Sequence, residues 1–268
     1  MGSDTPLSLV GFGVVVTRPA GQAEGLCARI EAAGGTALRF PTIEIVPLSD
    51  AGTLGLLGRG DFDRVIFISA NAVRLGLPGF KPGSAGLLAV GRATEAALAD
   101  AGLAVLARPE APFNSEALLA LDVLRRVQGR RVLIVRGQGG RELLAETLRQ
   151  RGAHVAYADV YARRRPDTPE SSLFAAWVAG AIQAVTANSV ETLDNLHAML
   201  GPAARALLLN TPLAVASARV RERAEALGFR APMVVARDAG DAAMMDALCT
   251  LATTVADTIP APRGTLSR

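Results

Sequence analysis

The sequence predicts an α/β protein made of two similar parallel-sheet domains. Three observations predict it: short apolar β-branched runs alternate with helically spaced segments, the order of segments repeats once, and polar or glycine-bearing loops follow the strands. The chain of 268 residues is long for one domain and sufficient for two.

Val14–Thr17 is a β-branched run. Gln22–Ala33 then places Leu26, Ile30 and Ala33 at helical spacing and meets a stop at Gly34-Gly35. Ala37–Val46 reads as one extended run. Arg64–Ile68 and Leu87–Val90 read as strands, and Glu95–Ala101 as a helix closed by Gly102. Val132–Val135, Ala153–Tyr157, Ala181–Val185, Leu213–Ala216 and Met233–Ala236 complete the strands. Residues up to Ser8, and those after Val255 with Pro260, Pro262 and Gly264, read as frayed ends.

The internal repeat is the most informative pattern. TRPAGQAE (Thr17–Glu24) aligns without gaps on VRGQGGRE (Val135–Glu142), an offset of 118 that also pairs Gly34 with Gly152. SANAV (Ser69–Val73) pairs with TANSV (Thr186–Val190) at an offset of 117, and LAVGRAT (Leu88–Thr94) with LAVASAR (Leu213–Arg219) at 125. The order is a-b-a-b, as two similar α/β domains would give. Arg39–Leu48 and Val155–Arg163 are both extended, fall at the junctions, and could pair as a ladder.

Composition narrows the function. Hydrophobic residues are 50%, charged residues 20% and aromatics only 4%, which describes a globular chain with a core of Ala, Leu and Val. No apolar stretch reaches the length of a membrane span, and the start has no basic segment leading into an apolar one. Cys27 and Cys249 sit in apolar-periodic segments and read as buried thiols of a reducing, cytoplasmic compartment. His154 and His197 are far apart without Cys or His neighbours, so no metal site is expected. The net charge of +3 comes from 28 basic residues, nearly all Arg, a side chain suited to carboxylates and phosphates. Nucleic acid is one candidate partner, but there is no clustered basic helix with aromatics for stacking, and a polyanionic small molecule fits at least as well.

In parallel sheets, ligands bind where strands end and helices begin, and free N–H groups at helix starts attract anions. The loops at those places are Thr17–Gly21, Ser69–Asn71, Gly91–Thr94, Arg136–Gly140, Thr186–Ser189 and Ser217–Arg219. Each alone reads equally well as an ordinary cap or turn. RGQGG lacks the GK[ST] ending of a P-loop and does not match GxGxxG. Their number, spread over two domains, suits a large ligand with many carboxylates. Side chains for acid–base or nucleophilic chemistry are scarce: there is no GxSxG elbow, and Asp61 and Asp63 flank a strand start, away from the ligand edge. Tyr161, one of two tyrosines, sits in the second junction strand and is the exception.

VVVTRPAGQAEGL, LRFPTIEIVP, FDRVIFISANAV, LAVGRATEAAL, SEALL, GRRVLIVRGQGGRELLAETLRQRGAHV, DVYAR and LAVASARVRERAEALGF, in this order and spacing, resemble the uroporphyrinogen-III synthase family from about Val14 to Leu251. The resemblance implies two parallel-sheet, flavodoxin-like α/β domains joined by a two-stranded β-ladder, with the chain crossing between them twice. Domain 1 would be 1–40 with 164–256, domain 2 would be 46–156, the linker strands 41–45 and 157–163, and the tail 257–268. It implies a cytoplasmic, monomeric lyase of tetrapyrrole biosynthesis with no cofactor and no metal. Its substrate would be hydroxymethylbilane, closed with loss of water and inversion of ring D to uroporphyrinogen III. On this resemblance Tyr161 is the catalytic residue, donating a hydrogen bond or proton to the departing hydroxyl. Thr94 matches a cleft threonine, while Ser69, Asn71, Arg136, Gly137, Ser189 and Ser217 hold acetate and propionate groups, with Arg18 and Arg219 adding charge. TANSV and Ser217-Ala218-Arg219 depart from the strings many members carry.

Two other readings fit the repeat. One is a non-enzymatic two-domain small-molecule sensor, which would bind tightly without turnover. The other is a nucleotide-sugar transferase, which would need an acidic or His-bearing nucleotide site that this sequence lacks.

Overall fold

Val14, Val15 and Val16 are all fully buried, although successive residues of a strand point to opposite faces. A strand of this kind is covered on both sides, as parallel sheets are. The computed structural model describes residues 8–140 and 142–258, with the backbone alone described for 256–258. The chain forms two compact units. Residues through Glu44 and from Arg165 onward make unit 1, and Ile45–Arg164 make unit 2.

Unit 1 opens with β1 (Gly13–Val16), α1 (Ala20–Ala32) and β2 (Thr36–Arg39). Unit 2 contains β3 (Glu44–Pro47), α2 (Ala51–Gly58), β4 (Arg64–Phe67), α3 (Ala70–Gly76), β5 (Gly86–Ala89), α4 (Arg92–Asp100), α5 (Ser115–Leu119), α6 (Asp122–Arg125), β6 (Arg131–Gly137), α7 (Leu143–Gln150) and β7 (His154–Arg164). Unit 1 then resumes with α8 (Ser171–Val178), β8 (Ala184–Ala187), α9 (Val190–Met199), α10 (Pro202–Leu208), β9 (Leu213–Val215), α11 (Ala218–Leu227), β10 (Met233–Val235) and α12 (Asp241–Thr258).

The sheet of unit 1 has the order β10-β9-β8-β1-β2, and its neighbouring strands run parallel. Val14 and Val16 pack with Leu26 and Ile30 of α1 and Met244 and Leu248 of α12; Val15 points the other way, onto Leu173, Leu193 and Leu208. The sheet of unit 2 has the order β3-β7-β6-β4-β5, and β7-β6-β4-β5 run parallel. Here Val65, Phe67 and Val135 face one layer, while Ile66, Val132 and Ile134 face the other with Leu144 and Leu148 of α7. Fully burying an aliphatic side chain of this size contributes about 1.5–3 kcal/mol.

The repeat is visible in the strand order. The run β9-β8-β1-β2 of unit 1 corresponds to β5-β4-β6-β7 of unit 2, so one unit is a permuted copy of the other. Gly34 and Gly152, paired by the 118 offset, each close a helix at φ +83°, where a side chain would be strained. The other two offsets are corrected. Ser69 and Ser189 are the equivalent caps, an offset of 120 rather than 117, and Gly91 and Ser217 are the next pair, an offset of 126 rather than 125. Thr186 and Ala187 therefore belong to β8, not to the loop. The buried Thr186 hydroxyl donates to the Val15 carbonyl at 3.2 Å, a bond that holds it in the sheet.

The expected single run Ala37–Val46 is broken. β2 ends at Arg39 in one sheet and β3 begins at Glu44 in the other. Pro41 within the gap has no N–H for a ladder. α12 continues through Asp257 and Thr258, which were expected in the tail, because no proline interrupts it before Pro260. The rest of the expected tail, 259–268, and residues 1–7 lie outside the described residues. Among the described residues no helix is long and apolar enough to cross a membrane.

Candidate functional site

In unit 2 the site begins with a register slip. β6 and β7 pair residue for residue up to Arg136 opposite Asp159, but the next residue, Gly137, pairs with Tyr161. Val160 is therefore the extra residue of a β-bulge, which re-aims the side chain that follows it. Strict alternation would put Tyr161 on the face of Tyr157 and Asp159. Instead it packs with Ala158 and Val160, on the face toward α3. The Gln138 N–H donates to the Tyr161 carbonyl at 2.7 Å and fixes the strand there.

The Tyr161 ring is buried, and its hydroxyl lies 3.1 Å from the Ser69 Oγ. Ser69 is the cap of α3, and its Oγ accepts the Ala72 N–H at 3.0 Å. Gly137 supplies room for the ring: a Cβ there would stand 2.6 Å from Cε2 and Cζ of Tyr161. Tyr161, Ser69, Gly137 and Arg136 line one hollow of about 270 Å³ at the C-terminal ends of β4 and β6, with Ser115 and Tyr157 in its wall.

Arg136 is held on three sides. Its guanidinium lies 3.5 Å from the centre of the Tyr157 ring, donates from Nε to Asp159 at 2.9 Å and from Nη1 to Glu142 at 3.0 Å. Burial opposes its charge, but the bonds to Asp159 and Glu142 outweigh burial and raise its pKa. Burial and the bond from its hydroxyl to Glu142 push Tyr157 up to about 12. That hydroxyl, followed by Arg136, holds Glu142 below the usual carboxylate range.

Unit 1 has a hollow of about 310 Å³ at the C-terminal ends of β8 and β9, lined by Ser189, Ser217 and Arg219 together with Asn188 and Glu191. The Ser189 Oγ caps α9 by accepting the Thr192 N–H at 3.1 Å. Ser217 stands at the cap position of α11 without making a side-chain cap bond, and it is exposed, as is Arg219. This unit has no counterpart of Tyr161, because both tyrosines of the chain lie in β7.

Three expected residues stand outside these hollows. Arg18 is drawn to Asp241, with Nε on Asn188 at 3.2 Å and Nη2 on the Ala239 carbonyl at 2.8 Å, so its guanidinium ties the loop after β1 to the start of α12. The Asn71 Oδ1 accepts from Arg74 within α3. Thr94 is buried in the first turn of α4. Tyr157, Asp159 and Glu142, which hold Arg136 in place, were not among the expected site residues. The first two lie four and two residues before Tyr161 in the same strand, and that proximity was the available signal.

Two permuted α/β units, each with a polar hollow at the strand ends and one with a tyrosine set against a helix-capping serine, define an α/β protein whose hollows lie where parallel sheets bind ligands. The comparisons narrow this. The family model described as Uroporphyrinogen-III synthase HemD matches residues 24–246. The uroporphyrinogen-III synthase of Escherichia coli (strain K12) is 32% identical over 244 residues, covering 88% of this chain and 99% of that protein. That of Salmonella typhimurium is 33% identical over 246 residues, with the same coverages of 88% and 99%. Among solved structures, a mutant uroporphyrinogen III synthase from Thermus thermophilus matches with TM-score 0.60 at 19% identity, covering 91% of this chain and 99% of that one. Uroporphyrinogen-III synthetase from Helicobacter pylori matches with TM-score 0.59 at 14% identity, covering 90% and 99%. These two show likeness of fold. The chain belongs to the uroporphyrinogen-III synthase family.

Proposed function

We propose that this chain is a lyase that closes hydroxymethylbilane to uroporphyrinogen III, expelling water and inverting ring D. Family membership supports the reaction. The observation that carries the chemistry is the Tyr161–Ser69 contact over Gly137.

Either hydroxyl can donate across this contact, and in the proposed arrangement Ser69, whose Oγ accepts the Ala72 N–H, donates its hydrogen to the Tyr161 oxygen. Tyr161 is then left with a proton to give. It donates that proton to the hydroxyl of the bilane as the carbon–oxygen bond breaks, and water leaves. Ring D attacks the resulting azafulvene through its substituted carbon, and the spiro species fragments and recloses with the ring inverted. The proton returns to Tyr161 when the last pyrrole regains its aromaticity, so the balance is the loss of one water. Unassisted closure gives the type I isomer, so the protein's task is chiefly to position the chain ends.

In this reading Ser189, Ser217 and Arg219 take carboxylates in unit 1, and the loop after Gly137 takes them in unit 2, largely through backbone N–H groups. Arg136 and Arg18 hold those loops in shape rather than meeting the substrate. Asn71 and Thr94 act from the first turns of α3 and α4. In this reading the flavodoxin-like domains are 1–40 with 164–256 and 46–156, and the chain passes between them through the stretches that carry β3 and β7. The reaction calls for no cofactor or metal, and the chain works as a cytoplasmic monomer.

The test is to supply freshly generated hydroxymethylbilane and separate the oxidised isomers. Predominantly type III product supports the reading; type I alone, formed at the enzyme-free rate, overturns it.

A further inference from the structure

The opposite end of unit 2 carries a second hollow, of about 410 Å³, where β6 and β7 begin. It lies at the N-terminal edge of the sheet, away from Tyr161 and Gly137 at the C-terminal ends. Its floor is apolar, with Phe62 buried and Leu56 half-buried. Its rim is cationic through Arg59, Arg131 and Arg149, with His154 beside them, and Arg149 and His154 are exposed.

The lining carries charge of one sign, with no carboxylate among the described residues that form it. Asp61 accepts from Arg59 at 3.0 Å and from Arg131 at 2.7 Å, and among the described residues it is the carboxylate these guanidiniums share. Arg149 makes a long contact of 3.4 Å to the Val155 carbonyl, approaches the Tyr157 ring at 5.5 Å and adds its charge to the surroundings of Glu142. Arg59, Arg131 and Arg149 thus converge on one hollow whose lining holds no carboxylate among the described residues, while Asp61 and Asp63 lie behind Arg131 and Glu142 lies within reach of the Arg149 charge. Convergent guanidinium donors match carboxylate or phosphate groups. The apolar floor favours an anion with an apolar body over a bare inorganic ion.

We propose that this hollow is a second binding site, for a small polycarboxylate carried on an apolar or aromatic scaffold. Arg149 and His154 receive its carboxylates, Arg59 and Arg131 set the rim in place, and Phe62 and Leu56 take its body. The assignment stands independently of the reaction proposed above.

The test is calorimetric titration of the full-length protein with trimesate, a benzene tricarboxylate, and separately with pyrophosphate, at matched ionic strength. Trimesate binds more tightly than pyrophosphate. Arg149→Gln weakens trimesate by about tenfold, the loss expected for one charge-assisted contact, and His154→Ala weakens it less. Both variants keep the circular dichroism spectrum of the parent and its turnover of hydroxymethylbilane. Arg219→Gln, in the unit 1 hollow, leaves trimesate affinity unchanged. Unaltered trimesate affinity in both the Arg149 and His154 variants overturns the site, as does its loss on Arg219→Gln. Pyrophosphate binding as tightly as trimesate overturns the assignment of the ligand class.

Discussion

The Tyr161 hydroxyl and the Ser69 Oγ, 92 residues apart in the chain, stand 3.1 Å from each other, and the same Oγ caps α3 by accepting the Ala72 N–H. One side chain thus closes a helix and aims a tyrosine. Ser69→Ala is expected to lose about 1 kcal/mol of stability from the missing cap. Its turnover of hydroxymethylbilane is expected to fall by about tenfold or more, because the Tyr161 proton is no longer directed. Ser69→Thr, which keeps the hydroxyl, restores most of both. Denaturant midpoints and initial rates on the three proteins check this, and full turnover in Ser69→Ala contradicts the role.

Gly137 is expected to be intolerant for a steric reason. The Cβ of Gly137→Ala would sit 2.6 Å from the Tyr161 ring, closer than such contacts occur, so the ring must move. The variant should lose about 1–3 kcal/mol and most of its turnover. Gly55→Ala, within α2 and with nothing inside 4 Å of the new Cβ, should instead gain up to about 1 kcal/mol and keep its activity. Equal effects of the two substitutions would remove Gly137 as the seat of the ring.

Tyr157 and Glu142 give the protein opposite pH signatures. Burial and then the bond to Glu142 raise Tyr157 from 10 to about 12. Between these values an unfolded chain has already lost the proton that the folded chain keeps. This contribution to stability is full below pH 10 and fades as the pH rises through about 12. The tyrosinate absorbance of the folded protein should show a step near pH 12 that Tyr157→Phe removes. Glu142 is lowered from 4.5 by Tyr157 and then Arg136, so its contribution is present above pH 4.5 and fades as the pH falls through its folded value. Glu142→Gln should flatten that acid limb in a urea titration, and a parallel limb in the variant would count against the pairing.

Arg18 should behave as a tie rather than a substrate contact. Its guanidinium meets Asp241, 223 residues away, and the Arg18 side chain is only 10% exposed. Arg18→Ala and Asp241→Asn should each destabilise the protein. A double-mutant cycle should give a coupling of about 0.5–3 kcal/mol, as for residues in one hydrogen-bonded network. Additive losses with an unchanged Km for the bilane would leave Arg18 without either role.

The strands and helices were legible because parallel strands covered on both faces are continuous apolar runs, and Val14–Val16 and Ile66–Phe67 are of that kind. The repeat was legible at Gly34 and Gly152, where backbone conformation demands glycine. It slipped by three residues at TANSV, because Ala, Ser and Asn strings match themselves in several registers and only the capping bond to Thr192 selects Ser189. The bulge at Val160 left no sequence signal, yet it decides which way Tyr161 faces. The engagement of Arg136 and Arg18 was equally hidden, since Asp159 and Asp241 become their partners only through the folded sheets.

Tyr161, set against Ser69 and seated on Gly137, is proposed to protonate the departing hydroxyl. The most direct test is the rate and isomer ratio of Tyr161→Phe on freshly generated hydroxymethylbilane, with the fold checked by circular dichroism. The expected result is a folded variant whose type III formation falls by about a hundredfold, the scale of one general acid, leaving the type I isomer to form at the enzyme-free rate. Parent-like turnover to type III product would contradict it.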